Sequence, residues 1–270
     1  MNPRLLALLL ALIPASLAPA QTAETDAEPS LSLRTTPDWT VKIEPMLWAP
    51  ALAGDFEVGD GGGDSFNAEW INADEVTLAP AGRVTINADD WRFLFEGFAV
   101  SADNDDRVRN TFTADGVTFT RGTDADLNLD LSVFKLAAGK EIWRKPFSED
   151  VALALDVYAG ARLIDIDLNL ENAAGASIGG DGIWIEPLAG FNVAFELPRG
   201  FDLRFALDGG VALGEDIGFD YQVVAAFGWR FADNVGIEIG FRHISFDVND
   251  NDFAFDGWAA GLFGSIVIYF

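Results

Sequence analysis

The sequence predicts an all-β fold, a transmembrane antiparallel β-barrel of about ten strands within a range of roughly eight to twelve. Three observations carry that expectation. From Trp39 onward, apolar and polar residues alternate with period two in segment after segment. The connections are tight on one side and long, rich in Gly, Asp and Asn, on the other, which is the pattern of bacterial outer-membrane barrels. Half of the residues are hydrophobic although the formal net charge is −26. After the N-terminal leader no apolar run is long enough for a membrane-spanning helix, so strands must absorb that apolar surface.

The chain opens with "MNPRLLALLLALIPASLAPAQ". One basic residue, Arg4, precedes the apolar run Leu5–Ile13 and an A-x-A site before Gln21, so residues 1–20 read as a signal peptide cleaved after Ala20. There is no Cys, which excludes a lipid-anchored lipoprotein, disulfides, thiolate catalysis and Cys-ligated metals. Residues 21–38 read as a flexible periplasmic lead-in, and 39–270 as the barrel. Strands are expected near 39–54, 73–88, 91–103, 124–141, 150–168, 182–197, 200–213, 217–232, 234–247 and 253–270. In "WTVKIEPML", Val41, Ile43, Pro45 and Leu47 oppose Lys42 and Glu44; in "NVGIEIGFR", Val235, Ile237, Ile239 and Phe241 oppose Glu238 and Arg242. "NADD", "LPRG" and "FADN" are the tight turns, whereas "GDGGGDSFN", 103–123 and 169–181 are the long loops. "WRKPFSED" is a longer turn on the short side and "GED" a short loop on the long side.

Alternation does not say which face points outward. A soluble lipocalin-like barrel puts its apolar face inside; a membrane barrel turns it to lipid. Trp39, Trp91, Trp229 and Phe231 cluster at strand ends on the apolar face, as interfacial girdles do, and the opposite face is rich in Arg, Glu and Asp with little Lys, which suits a confined, paired lumen. The chain ends "GSIVIYF", with Ile266, Ile268 and Phe270 on one face. This ending resembles the C-terminal strand signal of bacterial outer-membrane proteins, which implies that Phe270 is read by the barrel-assembly machinery. "PMLWAPALAGDF", "AGARLIDIDLNL", "WIEPLAGFNVAFEL" and "GFRHISFDVNDNDFAFDGWAAGLFGSIVIYF" resemble small outer-membrane β-barrel proteins of the OmpA/OmpW-like kind. The resemblance covers nearly all of 39–270 and implies fold and an outer-membrane location; it brings no agreed activity.

The face taken as inward collects both signs. Lys42, Arg83, Arg92, Arg162, Arg204, Arg230 and Arg242 stand against Glu44, Glu96, Asp130, Asp156, Glu186, Asp208, Asp220 and Glu238. Buried charges must be paired, so a salt-bridged plug is the first reading and a narrow polar conduit the second. Strict alternation from Leu127 aims Lys135 at lipid, unless a bulge or an interfacial position relieves it. The loops are expected to hold most of the negative charge, at Asp55, Glu57, Asp60 and Asp64, at Asp103, Asp105 and Asp106, and at Asp247, Asp250 and Asp252. "DVNDND" spaces oxygen ligands like the start of a calcium loop, but Asp252 occupies the Gly position and Trp258 the terminal Glu position. No metal site or cofactor is therefore assigned. Divalent cations bridging acidic loops to lipopolysaccharide are the expected ionic partners, alongside outer-membrane lipid. Nucleic acid is excluded by the charge.

The single histidine lies in "RHIS". His243 and Ser245 share the outward face, and counting back by twos from Phe270 places Asp256 there too. If Ser245 pairs opposite Asp256, the three converge near the outer interface. That arrangement resembles the outer-membrane lipid A deacylases, which implies a hydrolase with His243, Ser245 and Asp256 as its site. The acid is Asp, not Glu, and no oxyanion donor is evident. The leading expectation is a non-enzymatic barrel of structural or limited-transport role, with His243 standing in for an interfacial aromatic.

Overall fold

The computed structural model describes residues 39–59, 64–88, 90–213, 217–250 and 252–270. The leader 1–20, the lead-in 21–38, Asp60 and the "GED" loop lie outside the described residues. The elements are β1 (Trp39–Val58), β2 (Asp64–Asn67), β3 (Ala79–Ala88), β4 (Trp91–Arg107), β5 (Phe112–Ala114), β6 (Val117–Phe119), β7 (Asp124–Ser148), β8 (Val151–Asn172), β9 (Ser177–Leu197), β10 (Phe201–Leu213), β11 (Ile217–Ala232), β12 (Val235–Asp250) and β13 (Phe253–Tyr269). Ten of them form one antiparallel ring in the order β13–β12–β11–β10–β9–β8–β7–β4–β3–β1, and β13 returns to pair with β1. Closure runs to the last residue, where Val41 and Phe270 exchange backbone hydrogen bonds at 3.2 and 2.9 Å. A closed ring leaves no sheet edge unpaired, which the bilayer core demands.

The strands carry two alternations, not one. Along the lower part of β8, Leu153, Leu155, Val157 and Leu163 point out while Asp156 and Arg162 point in. From Ile164 on the code inverts: Ile164, Ile166, Leu168 and Leu170 are buried inside, and Asp165, Asp167, Asn169 and Glu171 point out. The same switch occurs after Leu47 in β1, below Phe134 in β7 and after Phe241 in β12. The lower half therefore meets lipid. Leu153 to Leu163 is ten residue steps, which at ~3.3 Å and a tilt of ~45° rises ~23 Å, close to the ~25 Å apolar band of outer-membrane barrels. The upper half is built like a soluble barrel around an apolar core.

This second storey corrects several expectations. Asp130 points outward, because Leu127, Leu129, Leu131 and Val133 of β7 turn inward; on the same count Lys135 is buried in the lumen, not aimed at lipid. Region 169–181 is mostly strand, since β8 and β9 run on with buried Leu170 and Ile178 as their inward residues. Asp55, Glu57, Asp103, Asp105, Asp247 and Asp250 lie on strand extensions instead of loops. "WRKPFSED" is also strand: β7 reaches Ser148 through bulges at Glu141/Trp143 and Pro146/Ser148, which accommodate the missing N–H of Pro146. The excursion over 103–123 carries the β5–β6 hairpin. Its Phe112 stacks on Phe119 and on Phe66, both at 4.9 Å, and Phe56 stacks on Phe255 at 4.5 Å. This column of rings fills the outer mouth.

The outward carboxylates stand in register. Asp130, Asp167 and Asp181 are direct neighbours across β7, β8 and β9, and Asp247, Asp256 and Asp55 across β12, β13 and β1. Directly opposed like charges disfavour the sheet. Burial first, then Asp167, Asp181 and Asp130, push the Asp165 carboxyl above the usual carboxylate range. A raised folded-state value means that the native state holds more protons than the unfolded one within that window, so the penalty is full above it and is relieved as pH falls through it. Asp167→Asn is expected to stabilise the outer half by ~0.2–1 kcal/mol, towards the low end because the site is exposed and screened. Amide exchange of β8 at low and high salt and at two pH values checks it; a gain that is the same under every condition would contradict repulsion as the cause.

Candidate functional site

In the lower storey the inward positions converge on Glu96 of β4. Its carboxylate accepts from Arg83 at 2.7 Å and from Gln222 at 3.2 Å, forms an ion pair with Arg242 at 2.9 Å, and lies 3.7 Å from Lys135. Gln222 is on β11, five places from β4 in the ring by either route, so this bond crosses the lumen along a diameter. Lys135 reaches Asp208 at 3.0 Å; Arg162 is paired with Asp208 and, at 3.3 Å, with Glu186. Tyr158 donates to Asp208 at 3.0 Å. Towards the periplasmic rim, Arg83 is 3.6 Å from Glu44 and 3.7 Å from Glu238, Arg204 binds Glu238 at 2.6 Å, and Lys42 binds Glu44 at 3.1 Å. Arg92 pairs with Asp156, which also accepts from Asn192 at 2.8 Å.

Each cation of the layer has a counter-ion. Lys42, Arg83, Arg92, Lys135, Arg162, Arg204 and Arg242 are each paired with one or more of Glu44, Glu96, Asp156, Glu186, Asp208 and Glu238. Such pairing is what a low-dielectric interior requires, because an unpaired ion there costs several kcal/mol. Arg242 marks the boundary between storeys. Its guanidinium sits 5.4 Å from the Trp48 and Phe98 rings and 5.9 Å from Phe263, with Glu96 as counter-ion. Two expected members are placed otherwise: Arg230 is exposed at the periplasmic rim, stacked 4.2 Å over Tyr269, and Asp130 faces outward. Lys135, Tyr158, Gln222 and Asn192 join the network. The inward phase of Arg162, Glu186 and Asp220 on the same strands was the signal available for Tyr158, Asn192 and Gln222.

On the outward face above the lipid-facing half, the register sets Ser245 opposite Trp258, and Asp256 opposite Asp247. Ser245 Oγ accepts the Tyr221 N–H at 2.9 Å and donates to the Tyr221 carbonyl at 3.3 Å. His243 Nε2 shares a hydrogen bond with the Tyr221 hydroxyl at 3.2 Å, between the Tyr221 and Trp258 rings. Serine and histidine are thus both engaged with Tyr221, and Asp256 stands two residues along from the cross-strand partner of Ser245. A nucleophile needs its base within hydrogen-bond reach and that base oriented by a third group; His243, Ser245 and Asp256 do not form this chain. Phe270 is exposed at the end of β13.

No family model matches the chain, and no curated protein matches it. Among solved structures it is similar to the outer membrane protease OmpT from Escherichia coli, with a TM-score of 0.50 and 12% identity over 89% of this chain and 99% of that one. It is also similar, at lower scores, to the translocator domain of the autotransporter NalP from Neisseria meningitidis (TM-score 0.40, 11% identity, 84% and 88% covered) and to Neisserial surface protein A (0.34, 10%, 86% and 96%). At these identities the likeness concerns fold alone. The chain has the outer-membrane β-barrel fold, about ten antiparallel strands closed into a ring.

Proposed function

We propose that this protein is a non-conducting, non-enzymatic structural barrel of the bacterial outer membrane, which carries a rigid, acid-coated outer storey beyond the lipid. The observation that carries this reading is the double closure of the lumen: Glu96 is bound across the diameter by Gln222 and paired with Arg242 of β12, and above it the aromatic column fills the mouth. A route for ions would have to break paired charges and then a packed core. The terminal Phe270 fits recognition by the barrel-assembly machinery. The registered carboxylate rows fit an outer surface that approaches anionic lipopolysaccharide through divalent cations, because direct contact would be repulsive.

The test is reconstitution of the mature protein in planar bilayers. Little steady conductance is expected. A large, reproducible open channel in the wild type would overturn the closed-lumen reading and favour transport. In the same cells, lipid A examined by mass spectrometry is expected to keep all its acyl chains. Loss of one with the wild type but not with Ser245→Ala would favour the hydrolase.

A further inference from the structure

Among the described residues the β11–β12 register begins at Gln222↔Ile244, although both strands continue outward to Ile217 and Asp250. On its other side β11 stays paired with β10 up to Leu213↔Ile217. The outer end of β11 is therefore joined to β12 by side chains in place of a ladder. Ser245 Oγ takes both backbone groups of Tyr221, the Asp247 carboxylate accepts the Phe219 N–H at 3.2 Å, and Asp220 Oδ1 accepts the Asp247 N–H. Gly218 lets the Asp247 carbonyl come in close: a Cβ there would lie 1.7 Å from that oxygen.

Behind this seam Asp220 is fully buried and has no cation within ion-pair distance among the described residues. Gly210 of β10 is the cross-strand partner of Asp220, and the fully buried Glu186 of β9 lies over it: a Cβ on Gly210 would lie 3.0 Å from Glu186 Oε2, so the missing side chain leaves the two carboxyl groups side by side. Asp220 Oδ2 and Glu186 Oε1 each lack a donor. Two adjacent buried carboxyl groups with one unfilled oxygen apiece are what a single shared proton completes, since two neighbouring like charges cannot both stay ionised cheaply. The groups facing the pair are Arg162 of β8, which already serves Glu186 and Asp208 of β10, and Asp247 of β12.

We infer that Asp220 and Glu186 form a buried one-proton binding site that latches the outer end of β11 to β12. The bound proton holds Asp220 against Glu186, where its other oxygen caps the Asp247 N–H. Loss of the proton to water leaves two carboxylates competing for Arg162. Glu186 keeps it, Asp220 swings away, and the Asp247 N–H and the seam are released. This inference rests on the seam alone and does not depend on whether the lumen conducts.

The experiment is amide hydrogen exchange on the folded barrel in detergent across pH, corrected for the intrinsic rate, reading Asp247, Phe219 and Tyr221. In the wild type, protection of the Asp247 amide is expected to fall by at least about tenfold as pH rises through titration of the pair. Asp220→Asn and, independently, Glu186→Gln supply a permanent donor between the two groups and are expected to keep protection constant with pH. An infrared band of a protonated carboxyl should be present in the wild type and absent from both variants. Wild-type protection that does not change with pH, the same pH-dependent loss in either variant, or no difference in the carboxyl band would overturn the latch. Unboiled gel migration identifies which variants are folded, and either variant alone suffices.

Discussion

Glu96→Gln is expected to destabilise the barrel by ~3–5 kcal/mol, the range for removing one partner from a fully buried ion network. The substitution keeps the side-chain shape, so the effect is electrostatic and not that of a cavity. It takes one counter-ion each from Arg83, which keeps Glu44 and Glu238, and from Lys135, which keeps Asp208, and it takes from Arg242 the carboxylate it is paired with. Arg242 suffers most, because its Nε and Nη1 already have no partner and apolar rings surround it. Arg204→Gln is the internal comparison. Arg204 binds Glu238 near the periplasmic rim and is 15% exposed, so water can take over part of its role and the loss should be smaller. Urea unfolding in detergent, followed by the mobility of unboiled protein and by tryptophan fluorescence, gives both values. A cost for Glu96→Gln below that of Arg204→Gln would mean that water already reaches the centre of the lumen, and the closed-lumen reading would fail with it.

Phe56→Ala is expected to cost ~3–5 kcal/mol as well, for a different reason. Phe56 is fully buried and touches three other rings, stacked on Phe255 and tilted against Phe66 at 5.9 Å and Phe253 at 6.1 Å. Removing it leaves a cavity at the joint between the barrel wall and the excursions that cap it. Local exchange should distinguish the storeys. Amides of β1 above Leu52, β2 and the β5–β6 hairpin should lose protection first, while the lipid-facing half around Leu155 and Phe205 should keep it. A loss of less than ~1 kcal/mol, typical of an exposed position, would contradict a packed outer core.

Much of the fold was legible because period two is a strong signal and each tight turn interrupts it. The turns at "LPRG" and "FADN" end strands where the structure ends them, at Leu197 and Ala232. The inward charges of the lower storey were legible for the same reason: Arg162, Glu186, Asp208 and Glu238 fall on the phase opposite Leu163, Ile185, Leu207 and Ile239. The errors about which face a residue takes in the upper half share one cause. Alternation gives two faces but not their environments, and the environment outside the barrel changes from lipid to water part-way along each strand. Leu127–Val133 and Ile164–Leu170 look like lipid-facing residues, yet they point inward because the outside at that height is water. Asp130 and Lys135 were misplaced by that single inversion.

The sequence by itself determined the fold class, the number of strands in the ring and which residues of each strand share a face, since these follow from local periodicity and turn chemistry. The tertiary structure decided what lies across the ring. The meeting of Glu96 with Gln222 joins residues 126 positions apart, and no local pattern encodes which positions on opposite walls share a height. The strand stagger does, and it appears only when the ring closes. The same stagger set Ser245 against Trp258 and not Asp256, which parted the residues of a would-be hydrolytic site, and it set Glu186 over Gly210, the cross-strand partner of Asp220. A one-pair shift in register changes which charges neutralise one another, so the chemistry of this lumen belongs to the closed barrel and not to any one of its strands.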